Sequence, residues 1–478
     1  MKSGHSRMEF DVAVLGAGSA GYAAARTTAA AGLRTVVLEG GREVGGLCIL
    51  RGCMPTKALL HAAEVLHLSR RAPVWGVYNE RTTFDFDKVM ARKNALIREF
   101  ADYRAGQLQD GRFDFIRSTA RFLDPRTLAL ADGRRLRAQH FVIATGSVVA
   151  PPPVAGLAET GFITSDDALA LTRLPRSLII LGGGAVAVEF AQLFARFGTR
   201  VTLVQRSSHI LKQFDADATG TLEEVFRREG IDVYTDTRLI EARREGGAKA
   251  VIFHQAGRTV RVEAEEILHA LGRVPNTADL GLEHAGVKTR GGRILTDEQM
   301  RTTAPHIYAA GDCAGPHEIV HIAIQQGEIA AHNIARPESP RGIDYRLLIS
   351  VVFTEPQLAT VGLTEQEARA RGISFLVASY PFNDHGKSLI MEARDGFVKL
   401  LADPTSGEIL GGACAGPLGG ELIHEIVVAM ARRMTVTELA AVPHYHPTLA
   451  EIWTYPAEEL AGQIPAARAG RNDTKACS

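Results

Sequence analysis

The most reactive side chains in this sequence belong to two closely spaced cysteines, Cys48 and Cys53. Gly52 is one of the four residues between them, and it allows the chain to fold back so that the two sulfur atoms meet. Pro55 and the apolar run after it predict a helix that begins here, where the helix dipole would stabilise a thiolate on Cys53. Spacing alone leaves a structural disulfide, two buried thiols and a redox-active pair open. No second pair of cysteines or histidines lies nearby, so we expect no metal site.

The elements that would position this pair begin near the N-terminus. The apolar segment Asp11–Leu15 predicts a buried strand that runs into the turn Gly16-Ala-Gly-Ser-Ala-Gly21. An alanine-rich segment then predicts a helix to about Ala31. A second strand follows over Thr35–Leu38 and ends at Glu39.

The same pattern occurs a second time midway along the chain. A strand over Ser177–Leu181 leads into the turn Gly182-Gly-Gly-Ala-Val-Ala187, and a helix follows to about Phe197. A strand over Val201–Val204 then ends at Gln205. In both units 23 residues separate the first glycine from the polar residue that ends the second strand.

Each unit carries the pattern of a dinucleotide-binding turn. The first glycine permits the tight turn, the second lets the backbone approach a pyrophosphate, and the third position must be small so that helix and strand can pack. The helix N-terminus supplies free N–H groups for the phosphates. The residues in these roles are Gly16, Gly18 and Gly21 in the first unit and Gly182, Gly184 and Ala187 in the second.

The two units differ at the residue that ends the second strand. Glu39 can accept hydrogen bonds from a ribose diol, whereas Gln205 is neutral and is followed by Arg206 and Lys212. A carboxylate would repel a 2′-phosphate and cations would attract it, so the second unit suits NADPH better than NADH. The sequence therefore predicts two different bound dinucleotides.

Composition excludes several classes of protein. The chain has 478 residues, is 46% hydrophobic and 23% charged, and carries 54 basic and 54 acidic side chains. With no net charge there is no global field to attract nucleic acid or an anionic membrane, and no apolar stretch is long enough to span a bilayer. The first ten residues lack an apolar signal core, and five cysteines are too few for a secreted disulfide framework. We therefore expect a cytoplasmic protein.

Taken together, these motifs resemble those of the pyridine nucleotide–disulfide oxidoreductases, the family of dihydrolipoamide dehydrogenase, glutathione reductase and mercuric reductase. The resemblance covers residues 9–462. The segment GGLCILRGCMPTK, which contains both Cys48 and Cys53, is similar to the redox-active disulfide motif of that family. The resemblance implies that the first dinucleotide is FAD and that this pair opens and closes as a disulfide.

Further residues are assigned by resemblance alone. Four of them match cofactor-binding motifs of the family: Thr145 and Gly146 in Ala144-Thr-Gly146, Arg273 in Leu271-Gly-Arg-Val-Pro-Asn276, and Asp312 in Ala310-Gly-Asp312. Two others, Lys57 and Glu189, match an ion pair near the flavin. By the same similarity Asp312 would contact the ribityl chain. Cys313, Cys414 and Cys477 are expected to be buried or tail thiols without a role.

A histidine and a glutamate near the C-terminus complete the set of candidate catalytic residues. His446 precedes a proline, which places it in a rigid loop, and a carboxylate bonded to its ring would fix the tautomer. The segment His444-Tyr-His446-Pro-Thr-Leu-Ala-Glu451 resembles the acid/base motif of the disulfide-reducing branches. In those branches the loop reaches the active site of the other subunit, so the resemblance implies an obligate homodimer. His444 is either a supporting or a structural residue.

The resemblance implies an α/β fold with two Rossmann-like dinucleotide-binding domains, for FAD and NADPH, and an α+β C-terminal dimerisation domain. The FAD domain would comprise 1–155 and 276–344, the NAD(P)H domain 156–275 and the interface domain 345–463. The tail 464–478 is expected to be flexible.

The implied activity is electron transfer from NADPH through FAD and the Cys48–Cys53 pair to a small-molecule disulfide. Cys48 would attack the substrate and Cys53 would face the flavin, while His446, oriented by Glu451, would protonate the leaving thiol. The alternatives are a dihydrolipoamide dehydrogenase using NAD, a mercuric or other metal-ion reductase, a non-catalytic redox sensor and a transhydrogenase. The chain departs from common family members at Leu50, Trp453 and Tyr455.

Overall fold

The computed structural model describes residues 8–464, and these form two compact units. The first unit contains residues 8–208 and 229–344, and the second contains 209–228 and 345–464. The boundaries of the three domains remain a prediction. Residues 209–228, which lie inside the predicted NAD(P)H domain, group with the C-terminal unit. The tail beyond residue 464, including Cys477, lies outside the described residues. No helix between residues 8 and 464 is both long and apolar enough to cross a membrane.

The first predicted strand–turn–helix–strand unit is confirmed at the centre of a seven-stranded sheet. Met8–Leu15 pairs in parallel with Thr35–Glu39 on one side and with Arg135–Ile143 on the other. Leu15 lies in register with Leu38 and Ile143, so Gly16, Glu39 and Ala144 emerge at one edge of the sheet. The remaining strands of this sheet are Asp114–Arg117, Ala120–Asp124, Thr127–Leu130 and Ile307–Ala309.

The second predicted unit is confirmed in a four-stranded parallel sheet. Ser177–Leu181 pairs with Arg200–Val204 and with Glu266–His269, and Asp232–Tyr234 pairs with the outer side of Arg200–Val204. All five residues of Ser177–Leu181 are buried, which explains their uninterrupted run of mostly apolar side chains.

Antiparallel strands and helices complete the first unit. The other strands are Thr237–Glu245, Ala248–Gln255 and Arg258–Ala264 in one sheet, Ser147–Val149 with Arg273–Pro275, and Thr289–Arg290 with Arg293–Ile294. The α-helices are Ser19–Ala30, Gly46–Arg51, Cys53–Arg71, Phe86–Leu108, Leu157–Thr160, Ser165–Ala168, Ala185–Arg196 and Val320–Ala335, with 3₁₀ turns at Ala72–Trp75 and Leu282–Ala285.

The second unit is built on a five-stranded antiparallel sheet. Its strands, in spatial order, are Ile349–Val352, Gln357–Gly362, Ile409–Gly416, Phe397–Ala402 and Leu376–Pro381. Its α-helices are Ala216–Arg228, Glu365–Ala370, Gly386–Ile390, Gly419–Ala431, Val436–Ala440 and Thr454–Ala461, with 3₁₀ turns at Tyr345–Leu347, Phe382–Asp384 and Ala450–Trp453.

A buried lysine joins residues 209–228 to the sheet of the second unit. The Lys399 side chain is 2% exposed, and its Nζ lies 3.1 Å from Asp215, 2.7 Å from Asp217 and 2.8 Å from Glu365. Although burial opposes its charge, the carboxylates of Asp217 and Glu365 keep the pKa of Lys399 above its ordinary value. Lys399 is therefore charged, and it neutralises carboxylates from two distant parts of the chain.

We expect Lys399→Met to destabilise the protein by about 3–5 kcal/mol, because it removes the cation that pairs with the largely buried Asp215 carboxylate. Chemical denaturation monitored by circular dichroism measures the change. The matched control is Arg433→Met, which breaks an ion pair to Glu408 from a side chain that is 64% exposed. That loss should cost no more than about 1 kcal/mol. Equal costs for both variants would contradict a stabilising role for the buried cluster.

Candidate active site

The first glycine of each turn is fixed by a close backbone contact. Gly16 has φ +102°, and a Cβ there would lie 2.3 Å from the carbonyl oxygen of Ala144. Gly182 has φ +118°, and its Cβ would lie 2.4 Å from the carbonyl oxygen of Ala270. Both positions therefore exclude every other residue, for the same steric reason in both units.

The third position of each turn serves helix packing, as the sequence predicts. A Cβ on Gly21 would lie 1.9 Å from the carbonyl oxygen of Gly16, whereas Ala187 is fully buried and its methyl group is accommodated. The second position of each turn is not in close contact with other protein atoms. A Cβ on Gly18 would meet nothing nearer than Gly46 Cα at 3.8 Å, and one on Gly184 would meet nothing within 4 Å. The protein itself does not require glycine there, so these two positions fit the close approach of a bound dinucleotide.

A cavity of about 530 Å³ lies beside the first turn. That volume falls within the range of cofactor sites. The structure brings six predicted cofactor-binding residues to its wall: Gly16, Gly18, Glu39, Thr145, Gly146 and Arg273. The Glu39 carboxylate also accepts hydrogen bonds from the backbone N–H groups of Ala17 at 2.9 Å and Gly41 at 2.7 Å, which fix its position at the end of its strand.

Asp312 is connected to this cavity through a serine that the sequence analysis did not single out. Ser147 Oγ donates a hydrogen bond to Asp312 Oδ2 at 2.6 Å and accepts one from Arg273 Nε at 2.8 Å. Arg273 also donates to the backbone oxygen of Ser147. Ser147 lines the cavity, and Asp312 is not among the lining residues. No sequence motif pointed to Ser147, because its role depends on the pairing of its strand with Arg273–Pro275.

The two cysteines lie together at a helix N-terminus. Cys48 is in the short helix Gly46–Arg51, and Cys53 is the first residue of the helix Cys53–Arg71. A Cβ on Gly52 would come within 3.0 Å of the Leu47 carbonyl oxygen, which shows how tightly the chain folds back between the two cysteines. Both side chains are half-buried free thiols.

Hydrogen bonding separates the chemistry of the two sulfur atoms. A hydrogen bond between the side chains, followed by the charge of Lys57, lowers the pKa of Cys53 to about 7 against the opposing effect of burial. The same hydrogen bond and burial raise the pKa of Cys48 well above its ordinary value. Cys53 is therefore the thiolate of the pair, and Cys48 holds the shared proton.

The predicted pair of Lys57 and Glu189 is present. Lys57 Nζ lies 2.9 Å from Glu189 Oε2 and 3.0 Å from Oε1. Glu189 is buried in the helix that follows the second glycine turn. This ion pair fixes the positive charge of Lys57 one helical turn from Cys53, where it stabilises the Cys53 thiolate.

The second turn has no carboxylate at the end of its second strand. Gln205 covers this turn, since a Cβ on Gly183 would lie 2.8 Å from the Gln205 side chain. Arg206 is exposed next to it. Lys212 is also exposed, and it falls in segment 209–228 of the other compact unit.

The predicted acid/base pair forms within the second unit. His446 Nδ1 lies 2.9 Å from Glu451 Oε2, and the His446 side chain is 79% exposed while that of Glu451 is 12% exposed. His444 has other partners, because its Nε2 lies 2.7 Å from Glu425 and its Nδ1 lies 2.9 Å from the Val442 carbonyl oxygen. His444 therefore anchors the loop.

The remaining described cysteines are buried, as expected. Cys313 donates weakly to the backbone oxygens of Ile143 and Ala310, and burial raises the pKa of the thiols of Cys313 and Cys414. These two thiols are packed in the interior.

Comparison with known proteins identifies the class. Residues 10–327 match the family described as pyridine nucleotide-disulphide oxidoreductase, and residues 348–457 match the dimerisation domain of that family. The chain is 33% identical over 466 residues to a dihydrolipoyl dehydrogenase of Geobacillus stearothermophilus, covering 97% of this chain and 98% of the relative. It is 32% identical over 433 residues to a mercuric reductase of Staphylococcus aureus, covering 90% and 79%.

A solved structure gives the same result. The HOCl-induced flavoprotein disulfide reductase RclA from Escherichia coli superposes with a TM-score of 0.83 at 28% identity, covering 94% of this chain and 99% of that one. The chain therefore belongs to the pyridine nucleotide–disulphide oxidoreductase family, whose members depend on FAD. It is an oxidoreductase that acts on sulfur groups.

We expect Cys48→Ala to raise the pKa of Cys53 from about 7 toward that of an ordinary thiol, because the variant lacks the hydrogen-bond donor. The reduced pair would then lose its first proton at higher pH. The pKa is measured from the ultraviolet absorbance of thiolate in the reduced protein as a function of pH. The absorbance of a Cys53→Ser variant serves as the correction. Cys48→Ser keeps a donor at the same position and is the matched control. A midpoint that is unchanged in Cys48→Ala would contradict the assignment of the thiolate.

We expect Gly18→Ala to fold normally and to lose bound flavin, because its methyl group comes no closer to a protein atom than 3.8 Å but enters the space where we expect the pyrophosphate. Flavin absorbance per chain and the denaturation midpoint of the apoprotein measure the two effects. Gly21→Ala is the contrasting variant and should lose stability as well, since its Cβ collides with Gly16. Full flavin content in Gly18→Ala would show that the first turn does not hold the cofactor.

Proposed function

We propose that this protein is an NADPH-dependent FAD disulfide reductase that passes electrons through Cys48 and Cys53 to a small-molecule disulfide. The observation that carries the proposal is the asymmetric cysteine pair, in which a hydrogen bond lowers the pKa of Cys53 to about 7 and keeps Cys48 protonated. Two thiols with only a structural role would not require different pKa values. Bound FAD would supply the exchange of two electrons between the nicotinamide and this pair.

The chain's own residues account for the sulfur chemistry. Cys48 loses its proton to His446 and attacks one sulfur of the substrate disulfide, and His446 returns the proton to the thiolate that leaves. Cys53, already a thiolate, then attacks Cys48 in the mixed disulfide. This second attack closes the Cys48–Cys53 disulfide and releases the second substrate sulfur as a thiolate, which takes a proton from solvent. One dithiol is oxidised and one disulfide is reduced, and Glu451 stabilises the His446 cation while His446 carries the proton taken from Cys48.

A homodimer in which His446 serves the cysteines of a second copy is part of the proposal. The match to the dimerisation domain supports it, as does the exposure of His446 and of Tyr445, which is 83% exposed. The first unit also displays large exposed apolar side chains over one helix end and the following loop, and exposed apolar patches mark protein interfaces. These side chains are Val65, Leu68, Val74, Trp75, Val77 and Tyr78.

The preference for NADPH is supported by the second glycine turn. Gln205 replaces the carboxylate that would repel a 2′-phosphate, and Arg206 is exposed beside it. A cytoplasmic location is consistent with buried cysteines that remain free thiols, such as Cys313 and Cys414.

The second candidate is a dihydrolipoamide dehydrogenase that uses NAD. The relative named for that activity aligns over 97% of this chain, and the His446–Glu451 pair fits either function. The two candidates differ in the nucleotide and in the sulfur substrate, and both differences can be measured on one preparation.

A panel of acceptors assayed with both nucleotides tests the proposal: glutathione disulfide, lipoamide, quinones and mercuric ion, each with NADPH and NADH. We expect turnover of a disulfide with NADPH, abolished in Cys48→Ala and reduced about 100-fold or more in His446→Ala. Unchanged rates in both variants would remove the disulfide reductase function. Turnover of lipoamide with a marked preference for NADH would establish the second candidate, and reduction of mercuric ion alone would indicate a metal-ion reductase. Nucleotide binding without any turnover would indicate a redox sensor.

A further inference from the structure

The second carboxylate oxygen of Glu451 faces His385, a residue that no sequence motif predicted. Glu451 Oε2 faces His446 Nδ1 at 2.9 Å, whereas Glu451 Oε1 lies 3.4 Å from Nε2 of His385. The carboxylate is therefore held between two histidines. One of them is exposed and the other, His385, is 0% exposed.

The surroundings of His385 define its protonation state. Burial lowers the pKa of His385 against the attraction of Glu451, so its ring is neutral at pH 7. Its Nδ1 lies 2.8 Å from Oγ of the buried Ser388. A neutral ring carries one N–H, and a lone pair on Nε2 would repel the carboxylate. The stable tautomer has its proton on Nε2, pointing at Glu451, with Ser388 donating its hydroxyl hydrogen to Nδ1.

Aromatic residues fix the plane of the His385 ring. The ring packs edge-on against Tyr455 at 6.3 Å and 82°, and Tyr455 stacks on Tyr380 at 3.9 Å. Tyr380 in turn donates a hydrogen bond to Asp384 Oδ2 at 3.0 Å. Tyr455, which the family resemblance marks as a departure, therefore has a structural partner in His385.

We propose that His385 is a positioning residue that holds the Glu451 carboxylate so that its other oxygen bonds His446. Among the described residues, the buried Nε2 of His385 has no hydrogen-bond partner, and the polar group that faces it is Glu451 Oε1 at 3.4 Å. Without this partner the carboxylate is free to rotate and loses its fixed orientation toward His446. The titratable groups that face His385 are Glu451, His446 and Tyr455, with Asp384 and Tyr380 behind them. The inference rests on the proposed acid/base function of His446.

The test compares His385→Leu with His385→Gln in the holoenzyme. Leucine removes the donor and keeps a buried side chain of similar bulk, whereas glutamine presents an N–H group near the position of Nε2. We expect His385→Leu to lower disulfide turnover about tenfold, the low end of the range for one hydrogen bond to a charged group. We also expect His446 to lose its preference for the tautomer with the proton on Nδ1, because a misplaced Glu451 no longer accepts a hydrogen bond from that atom. His385→Gln should restore most of the rate and that tautomer.

Nuclear magnetic resonance of histidine ring nitrogens in the labelled holoenzyme at alkaline pH measures the His446 tautomer without any assay of activity. A loss of the Nδ1–H tautomer in His385→Leu, with recovery in His385→Gln, supports the proposal even if His446→Ala retains full turnover. In that case only the proposed function fails. An unchanged tautomer in a folded His385→Leu variant overturns the positioning role. A loss of rate in both variants with an unchanged tautomer also overturns it, because that outcome shows a packing effect alone.

Discussion

The chemistry of this protein depends on the packing of two helices from different glycine-turn units. The helix Cys53–Arg71 carries a reactive sulfur at its first residue, and the helix Ala185–Arg196 begins at the second glycine turn. Lys57 and Glu189 join them at one end, and Arg70 donates to the carbonyl oxygen of Arg196 at the other. Because the buried Glu189 carboxylate requires a cation, Lys57 is held at a fixed distance from the cysteines. An element far away in the sequence therefore contributes to the low pKa of Cys53, after the larger effect of the hydrogen bond with Cys48.

The two glycine turns show one steric constraint used twice. In each unit the strand ends at a glycine whose missing side chain lets a neighbouring carbonyl oxygen approach, from Ala144 in one case and Ala270 in the other. The second glycine of each turn, Gly18 or Gly184, has no such contact. This separates glycines that the fold requires from glycines that it does not require, and the latter fit the close approach of a bound nucleotide. It also gives a physical reason for treating both turns as nucleotide sites.

Much of this arrangement could be predicted from the sequence, because it follows from local patterns. Buried parallel strands give continuous apolar runs, a tight turn demands glycine, and the start of a helix at Cys53 followed from Pro55. The pairing of His446 with Glu451 followed from a contiguous motif. These features all depend on residues that are close in the chain.

The features that could not be predicted connect residues that are distant in the chain and belong to no repeating pattern. Ser147 links Asp312 to Arg273 only because two short strands pair, and His385 meets Glu451 only because its loop packs beneath the last helix. The short helix that contains Cys48 was also missed. A single histidine or serine in a loop carries no periodicity, so tertiary structure alone reveals its partner.

The buried lysine cluster has a consequence for how such proteins can be recombined. The chain leaves the first unit at residue 208, contributes the helix Ala216–Arg228 to the second, and returns at residue 229. A chimera that exchanges the second nucleotide-binding segment as one continuous piece would import foreign carboxylates opposite Lys399. An exchange preserves this charge balance only when residues 209–228 are exchanged together with the C-terminal sheet. The compact unit that contains Lys399 is thus discontinuous in sequence, and shuffling libraries should place their crossovers accordingly.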